Sequence, residues 1–488
     1  MQSNCEKASS HQANLGLFLR YSSHNILGML GISCYILADT IFIAQGVGYA
    51  GLAALNLVLP IFSFMMALEQ GMGLGLATRY RILYCKGAIK MAYRTRKRAL
   101  ILGLGVSLVF FLAGLLGAKE VAAALGSTPA IDIYVIPYLR LILLFAPFFF
   151  LNTILTYFVR NDGAPKIAMW SMLVGSLANV GLDYLFVIRW GWGMSGAAWA
   201  TICSPIIGLS ISAAYYYQRH QKGTFEDGDQ SQRMALMLKE EASELQEQES
   251  IPSDPTARLR RDLGLLTASW KEDFSALALG LPAALGELSS AATVFGFNWL
   301  LLKLVGYEGV STYAIVANLA LMSVATFEGV SQGVQPLLSE AYAKRQKRQV
   351  SNYFRYALIL MLSLACLLTF TFCFHSAFWI KLFDSTGELL ASPLSHEALR
   401  LYFLALPAIG FNLLLTIRYS ACNQAGPSNW IALSRSALLL LPLAWLLAQL
   451  WGPRALWIVV PILEALVSVI GLGRMLQRER KTADLPEI

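Results

Sequence analysis

Long apolar segments limit what this chain can fold into more than any other feature. A helix needs about 20 mostly apolar residues to cross the hydrocarbon core of a bilayer, and twelve segments meet that length. Only 14% of the 488 residues are charged, whereas a soluble domain carries about a quarter. The sequence therefore predicts an all-α integral membrane protein with twelve transmembrane helices. The predicted spans are residues 15–45, 50–78, 99–118, 131–158, 167–189, 195–217, 274–303, 309–341, 354–382, 397–421, 428–450 and 455–475.

Basic residues are concentrated in the even-numbered connections between these spans. They occur within residues 79–98, 219–271, 344–348 and 474–481, whereas the odd-numbered connections hold few. The positive-inside rule then predicts cytoplasmic termini, and we expect a plasma (inner) membrane location. Because the basic residues flank apolar segments, the net charge of +8 does not indicate a nucleic-acid partner. The seven cysteines have no paired spacing, which argues against a disulfide framework or a zinc site.

The chain contains an internal repeat. Residues 139–152 and 399–412 share an initial Leu-Arg-Leu, a central proline and a final asparagine. Gly-Tyr-Ala-Gly at 48–51 recurs as Gly-Tyr-Glu-Gly at 306–309. A looser match relates Gly163-Ala-Pro165 to Gly426-Pro427. These matches predict two six-helix lobes, related by a pseudo-two-fold axis along the membrane normal, with substrate bound between them.

The predicted domain organisation follows from the spans and the repeat. The ranges are a cytoplasmic tail (1–14), an N-lobe (15–217), a cytoplasmic linker (218–272), a C-lobe (273–475) and a second tail (476–488). The linker is polar and nearly balanced in charge, which favours a solvated connection over a docking or regulatory segment. Residues 233–248 within it could form a helix that the prolines after it would end.

Two aspartates and an asparagine lie inside predicted spans. Asp39 is in the first span, and Asn179 and Asp183 are in the fifth. A spacing of four places Asn179 and Asp183 on one helical face, and Ser176 joins them at i−3. Tyr35 likewise precedes Asp39 by one turn. A charged aspartate at mid-bilayer costs about 2.5–3.5 kcal/mol on insertion scales, so intramembrane acids are functional by default.

These carboxyl groups can be neutral, pair with a basic residue or share a cation. Neither span contains a basic residue in its interior, which leaves protons or a bound metal ion. Burial and a second nearby carboxyl group both disfavour the charged form, so such a pair could take up and release a proton. Sodium could instead be held at Asp39, Asn179, Asp183 and Thr201, with Ser176 as a further oxygen. In the structural alternative, Asp39 caps a helix break and Asp183 lies at the membrane interface.

Four motifs together resemble the signatures of multidrug and toxic compound extrusion (MATE) transporters. The resemblance extends over nearly the whole chain, from about residue 15 to residue 475. The motifs are Asp39-Thr-Ile-Phe-Ile, Asn179-Val-Gly-Leu-Asp183, Gly196-Ala-Ala-Trp-Ala-Thr201 and Gln332-Gly-Val-Gln-Pro336.

The resemblance implies a V-shaped, two-lobed secondary antiporter rather than an enzyme. It would export amphipathic or cationic compounds in exchange for H⁺ or Na⁺, without a cofactor, and we expect a monomer in the lipid bilayer. The coupling cation would be handled at Asp39, Asn179 and Asp183. The candidate secondary cation or cavity residues are Tyr35, Tyr138, Ser176, Thr201 and Glu287, the last of which follows Gly280-Leu-Pro282.

The sequence departs from some members of the family at one place, and it leaves one alternative function open. The segment with Asn412 and Arg418 has no acidic residue, which argues against a C-lobe sodium site of the kind that some members of the family have. The alternative function is a lipid-linked oligosaccharide flippase, which should present several basic residues to a central cavity to hold pyrophosphate. The candidates for that role are Arg140, Arg400, Arg418 and Arg435.

Overall fold

The computed structural model describes residues 2–129, 131–221, 255–383 and 388–483, and in these ranges the regular elements are helices. Eighteen α-helices are described. Two further elements interrupt them, a π-helix at Tyr184–Arg189 and a 3₁₀ turn at Phe403–Ala405. The helices are α1 Gln2–Gly46, α2 Tyr49–Cys85, α3 Ile89–Leu116, α4 Ala118–Ala124, α5 Asp132–Leu144, α6 Ala146–Asn161, α7 Pro165–Asp183, α8 Gly193–Gln221, α9 Pro255–Leu304, α10 Tyr307–Ala343, α11 Lys347–Phe374, α12 Ser376–Phe383, α13 Glu388–Ala391, α14 Pro393–Tyr402, α15 Leu406–Ala421, α16 Ala425–Ser434, α17 Ala437–Trp451 and α18 Ala455–Ala483.

The twelve predicted spans are confirmed, although one of them is broken. Among the described residues, 11 helical segments are long and apolar enough to cross a membrane, and a twelfth span consists of α5 and α6, bent by 49° at their junction. Pro147 is at the start of α6, where a missing backbone N–H costs nothing because no partner is available there. In the second half, Pro407 occupies the same place at the start of α15, directly after the 3₁₀ turn.

The internal repeat is also present in the backbone angles. Gly48 has φ 85° and ψ −161°, and Gly306 has φ 89° and ψ −160°, a conformation that glycine adopts without steric cost. Both glycines stand directly before the second long helix of their lobe. Gly163, which also has a positive φ, is matched by Asn423. The sequence pairing of Gly163 with Gly426 is therefore wrong: the turn is equivalent in the two lobes, but the glycine is not.

Two of the predicted boundaries lie inside helices. Helix α9 begins at Pro255, so the first long helix of the C-lobe extends into the segment assigned to the linker, 218–272. Helix α1 begins at Gln2, inside the segment assigned to the N-terminal tail. The candidate helix at 233–248 lies outside the described residues.

The two lobes meet along two seams that are equivalent in the repeat. In the first seam, α9 packs on α2 so closely that a Cβ atom on Gly280 would lie 1.7 Å from the carbonyl oxygen of Gly71. In the second seam, α10 packs on α1, and a Cβ atom on Gly329 would lie 2.6 Å from the Cα atom of Ile26. Small residues allow this backbone approach, as in other membrane helix pairs. We call these contacts the lobe seams.

Ion pairs join the lobes at the end of the seams that carries the basic connections. Asp273 on α9 is bound by Arg79 Nε at 2.9 Å and by Arg98 Nη1 at 2.8 Å. Thr95 donates to the same carboxylate at 3.0 Å. Arg81 on α2 pairs with Glu340 on α10. Each of these contacts joins an N-lobe cation or hydroxyl group to a C-lobe acid, so the basic side of the molecule is held closed in this conformation.

The close approach at Gly280 predicts that an added methyl group separates the lobes. Gly280→Ala should destabilise the closed arrangement by about 1–3 kcal/mol, as expected for overpacking. Gln335 Nε2 donates to Thr78 Oγ1 across the lobes at 2.8 Å. In a cysteine-free background carrying Thr78→Cys and Gln335→Cys, Gly280→Ala should therefore lower the yield of the disulfide between the two introduced cysteines.

Gly286→Ala is the matched control, because it lies on the same helix and a Cβ atom there would meet nothing within 4 Å. It makes the same change in helix propensity without the inter-lobe contact. Equal disulfide yields in the two alanine variants would contradict the assignment of Gly280 to the seam.

Candidate functional site

The aspartates that the sequence singles out lie against each other inside the N-lobe. Helix α1 packs on α7, and this packing brings the side chains of Asp39 and Asp183 into direct contact. Asp183 is fully buried, and Asp39 is 8% exposed. Neither one forms an ion pair with a basic side chain of the described residues. The structural alternative, with each aspartate exposed separately at a helix break or interface, does not describe this arrangement.

Asn179 connects this pair to α8. In the amide orientation that satisfies both neighbours, its nitrogen donates to Asp183 Oδ2 at 3.1 Å and its oxygen accepts from the backbone N–H of Thr201 at 3.2 Å. Asn179 is fully buried and lies one turn before Asp183 on α7. The predicted shared face is therefore present, and the amide fixes the orientation of the Asp183 carboxyl group.

Three side-chain oxygens around the aspartates are buried without a hydrogen-bond partner. They are Asp39 Oδ1, Asp183 Oδ1 and Thr201 Oγ1. An unsatisfied buried polar group costs about 1–3 kcal/mol in proteins, so three of them around one carboxyl pair favour a bound ligand that is positive and small. Oxygen donors suit a proton or a hard cation rather than a soft transition metal. The described residues contain no cluster of three or more His, Cys, Asp or Glu side chains with metal-binding geometry.

Two tyrosines flank the aspartates. Tyr35, on α1, lies within Coulombic range of both Asp39 and Asp183. Tyr138, on α5, lies beside Thr201 and within the same range of both carboxyl groups. We call the group formed by the two aspartates, Asn179, Thr201 and these two tyrosines the N-lobe pocket. The candidate Ser176 is not part of it, because its Oγ faces Gly31 of α1, eight residues before Asp39.

The helix changes form directly after Asp183. Helix α7 ends at this residue and continues as a π-helix over Tyr184–Arg189. π-Helical turns are rare and are frequent at functional sites, because the wider turn shifts side chains and backbone groups from their α-helical positions. The sequence periodicity gives no signal for this change, since the apolar pattern continues through it.

Glu287 is not part of the N-lobe pocket. It lies on α9, in the C-lobe, and accepts a hydrogen bond from Gln70 Nε2 on α2 at 2.7 Å. This bond crosses the lobe seam. The structure therefore places the secondary candidate Glu287 between the lobes rather than with Asp39.

The C-lobe contains a buried ion pair that the sequence analysis missed. Glu464 on α18 accepts from Arg435 Nε at 2.9 Å and Nη2 at 2.8 Å. Asn412 Nδ2 donates to the other carboxylate oxygen at 2.7 Å, and Ser468 donates to Asn412 Oδ1 at 3.0 Å. The available signal was an acid inside an otherwise apolar predicted span. Here the carboxylate has its partners, so this cluster differs from the N-lobe pocket.

The fold and the two seams define a multi-pass membrane transporter with two six-helix lobes. The MatE family model matches residues 25–185 and again residues 282–446, so the chain belongs to the MatE family. One match falls in each lobe, which confirms the internal repeat. Members of this family are transporters, so the chain is a transporter and not an enzyme.

Curated relatives and solved structures are similar to this chain over most of its length. The multidrug export protein MepA of Staphylococcus aureus is 23% identical over 445 residues, covering 90% of this chain and 88% of the relative. The FAD transporter of Shewanella oneidensis is 24% identical over 471 residues, covering 93% and 92%. An outward-facing multidrug resistance MATE family transporter gives a TM-score of 0.79 at 20% identity, covering 96% of this chain and 97% of that structure. A MATE structure in complex with MaL6 gives 0.80 at 20% identity with the same coverage.

The C-lobe ion pair predicts a large loss of stability when one partner is replaced and a recovery when the other partner is replaced as well. Glu464→Gln should lower the free energy of unfolding by about 3 kcal/mol, because it leaves the Arg435 guanidinium buried without its counter-charge. Adding Arg435→Gln should recover much of that loss. Thermal unfolding of the single and double variants in detergent measures both effects, and additive losses in the double variant would contradict a paired role.

Proposed function

We propose that this transporter exports amphipathic, often cationic, compounds in exchange for protons or sodium by alternating access of its two lobes. The observation that carries the proposal is the pair of contacting, buried and unneutralised carboxyl groups of Asp39 and Asp183. Such a pair is costly unless something positive binds there. The names of the relatives, a multidrug export protein and an FAD transporter, are consistent with organic substrates.

Helix α1 supplies the link between the cation and the lobes. Asp39 lies near its C-terminal end, and Ser22 and Ile26 lie near its middle against α10. Between them, Gly28 and Gly31 face Met172 and Leu173 of α7 at close range. A cation that changes how α1 packs on α7 therefore acts on the same helix that forms a lobe seam. Exchange requires only that the cation and the substrate favour different states.

The location and orientation follow from charge. The basic connections predict that the closed side of the seams faces the cytoplasm, with both termini, in the plasma membrane. In this conformation the substrate path would then open away from the cytoplasm. We also propose that the chain acts as a monomer.

The flippase alternative receives less support from the positions of its basic residues. Arg140 and Arg400 are exposed, Arg435 is paired with Glu464, and Arg418 lies over the ring of Phe354. Arg435 also lies within Coulombic range of Glu328 on α10, but one arginine does not make the set at a central cavity that pyrophosphate binding would require.

Asp39→Asn tests the assignment of the cation residue. It keeps the size of the side chain but removes the group that can gain and lose a positive ion, so resistance conferred on a drug-sensitive host should be abolished while the protein remains in the membrane. Glu120→Gln, which changes an exposed carboxylate, should leave resistance unchanged. Full export by the Asp39→Asn variant would refute the assignment.

Thr201→Val separates sodium from proton coupling. The substitution removes a neutral oxygen of the N-lobe pocket but leaves both carboxyl groups. With sodium coupling, the sodium concentration for half-maximal flux of a fluorescent cation in proteoliposomes should rise at least tenfold. With proton coupling, the dependence on the pH gradient should be unchanged.

Thr156→Val is the control, because its hydroxyl group is also buried and unpartnered but lies on α6. Separate sodium and pH gradients are imposed on vesicles that contain each variant. Flux that responds to neither gradient in the wild type would refute coupled export altogether.

A further inference from the structure

An arginine is buried at the lobe seam without a counter-charge. Arg160, near the end of α6, is 2% exposed. Its Nη1 donates to Gln332 Oε1 on α10 at 2.7 Å, its Nη2 contacts Met172 Sδ at 3.8 Å, and its Nε has no partner. No carboxylate of the described residues lies within 4 Å of it. An unpaired guanidinium in this position is costly, and such residues in membrane proteins mark ligand pathways.

The bond to Gln332 crosses from the N-lobe to the C-lobe. It is a bond between a charged donor and a neutral amide, so it compensates only part of the desolvation of the guanidinium. When the lobes separate on the basic side, this bond must break. The guanidinium then faces the opening between the lobes with its fork of donors available, and that geometry matches a carboxylate or phosphate.

Three acids of the lobe seams lie near Tyr157, which precedes Arg160 on α6 by three residues. Glu69 on α2, Glu287 on α9 and Glu328 on α10 are all within Coulombic range of the Tyr157 hydroxyl, as is Arg160. Glu287 and Arg435 both lie within Coulombic range of Glu328, and Glu69 Oε2 is buried without a partner. Of the three acids, the sequence pointed only to Glu287.

The acids and the arginine are close but do not pair. Arg160 is bound to Gln332, and Glu328 precedes Gln332 by one helical turn on α10. Side chains four apart on a helix start about 5–6 Å from each other. Arg160 forms no ion pair with Glu328, so the seam keeps a positive end and a negative end apart. A ligand that matches both ends must carry a cationic group and an anionic oxygen group.

We propose that the substrate site of this transporter is dipolar and favours zwitterionic amphipaths. Their cationic group lies toward Glu69, Glu287 and Glu328, and their carboxylate or phosphate is bound by Arg160. The inference rests on the proposed function, because it names the substrate class of the same inter-lobe path. Arg160 becomes a specificity-determining residue that contacts substrate once the lobes open.

A matched pair of dyes tests this inference directly. Rhodamine 6G is a cationic ethyl ester, and its free acid is a zwitterion with the same fluorophore. Fluorescence anisotropy of each dye with the purified full-length protein in detergent gives the two Kd values. The wild type should bind the free acid about tenfold more tightly than the ester, the size of one charge-assisted hydrogen bond.

The arginine variants then locate the source of that preference. Arg160→Gln should abolish the preference while leaving ester binding within about twofold, and Arg160→Lys should retain part of it. Arg140→Gln, which changes an exposed arginine, should leave both affinities unchanged. The melting temperature of Arg160→Gln should match or exceed that of the wild type, because removing an unpaired buried charge also removes its desolvation cost.

Several results would overturn the inference. The first is a wild-type protein that binds the free acid no more tightly than the ester. The second is an Arg160→Gln variant that keeps the preference for the free acid. The third is an Arg160→Gln variant whose affinity for both dyes falls equally and whose melting temperature also falls. The last result would mean that Arg160 has only a structural role. Failure of the proposed function is a different observation, in which wild-type proteoliposomes move neither dye under any ion gradient although both bind.

Discussion

The cost of holding charged groups inside a bilayer is the constraint on which the rest of this structure depends. The chain meets it differently in its two lobes. In the C-lobe, Glu464 receives Arg435 and Asn412, so the charge is neutralised by fixed partners. In the N-lobe, Asp39 and Asp183 face each other and leave oxygens without partners. Only the second arrangement leaves buried carboxyl oxygens without partners, which is why we propose that a mobile positive ion binds in the N-lobe and not in the C-lobe.

A bound cation can drive transport only if its binding changes the packing of the lobes at a distance from the cation site. Helix α1 meets this requirement because it runs without a break from the N-lobe pocket to the seam with α10. At the α7 level Gly28 and Gly31 receive side chains of α7, and at the α10 level α1 makes close backbone approaches to Gly329 and Gly333, which tolerate little gradual adjustment. An interface of that kind tends to have discrete arrangements rather than a continuous range. In the proposed exchange, coupling therefore needs a shift of one helix, and no chain of intervening side chains has to be invoked.

The extent to which the sequence predicts this structure depends on the range of the interactions. The shared face of Asn179 and Asp183 follows from helical periodicity alone, and the repeat of Gly48 as Gly306 follows from alignment of the halves. The contact between Asp39 and Asp183 could only be supposed, because it depends on how α1 packs on α7. Arg160 was not recognised, because it follows a predicted span that ends at residue 158 and so resembled an interfacial arginine. The π-helix after Asp183 depends on tertiary packing and has no periodic signal.

The polar character of the lobe seams has a consequence for the balance between conformations. A seam made only of close glycine contacts would be costly to open, since every separated contact would lose packing without compensation. Arg160 and the three glutamates change this balance. When the lobes separate, each of these side chains can contact water or a ligand, whereas in the closed seam its charge is only partly compensated. The ion pairs at Asp273 and Glu340 act in the opposite sense and favour closure. When such terms nearly cancel, the 1–3 kcal/mol that typical ligand coupling supplies is enough to decide which side of the membrane the transporter faces.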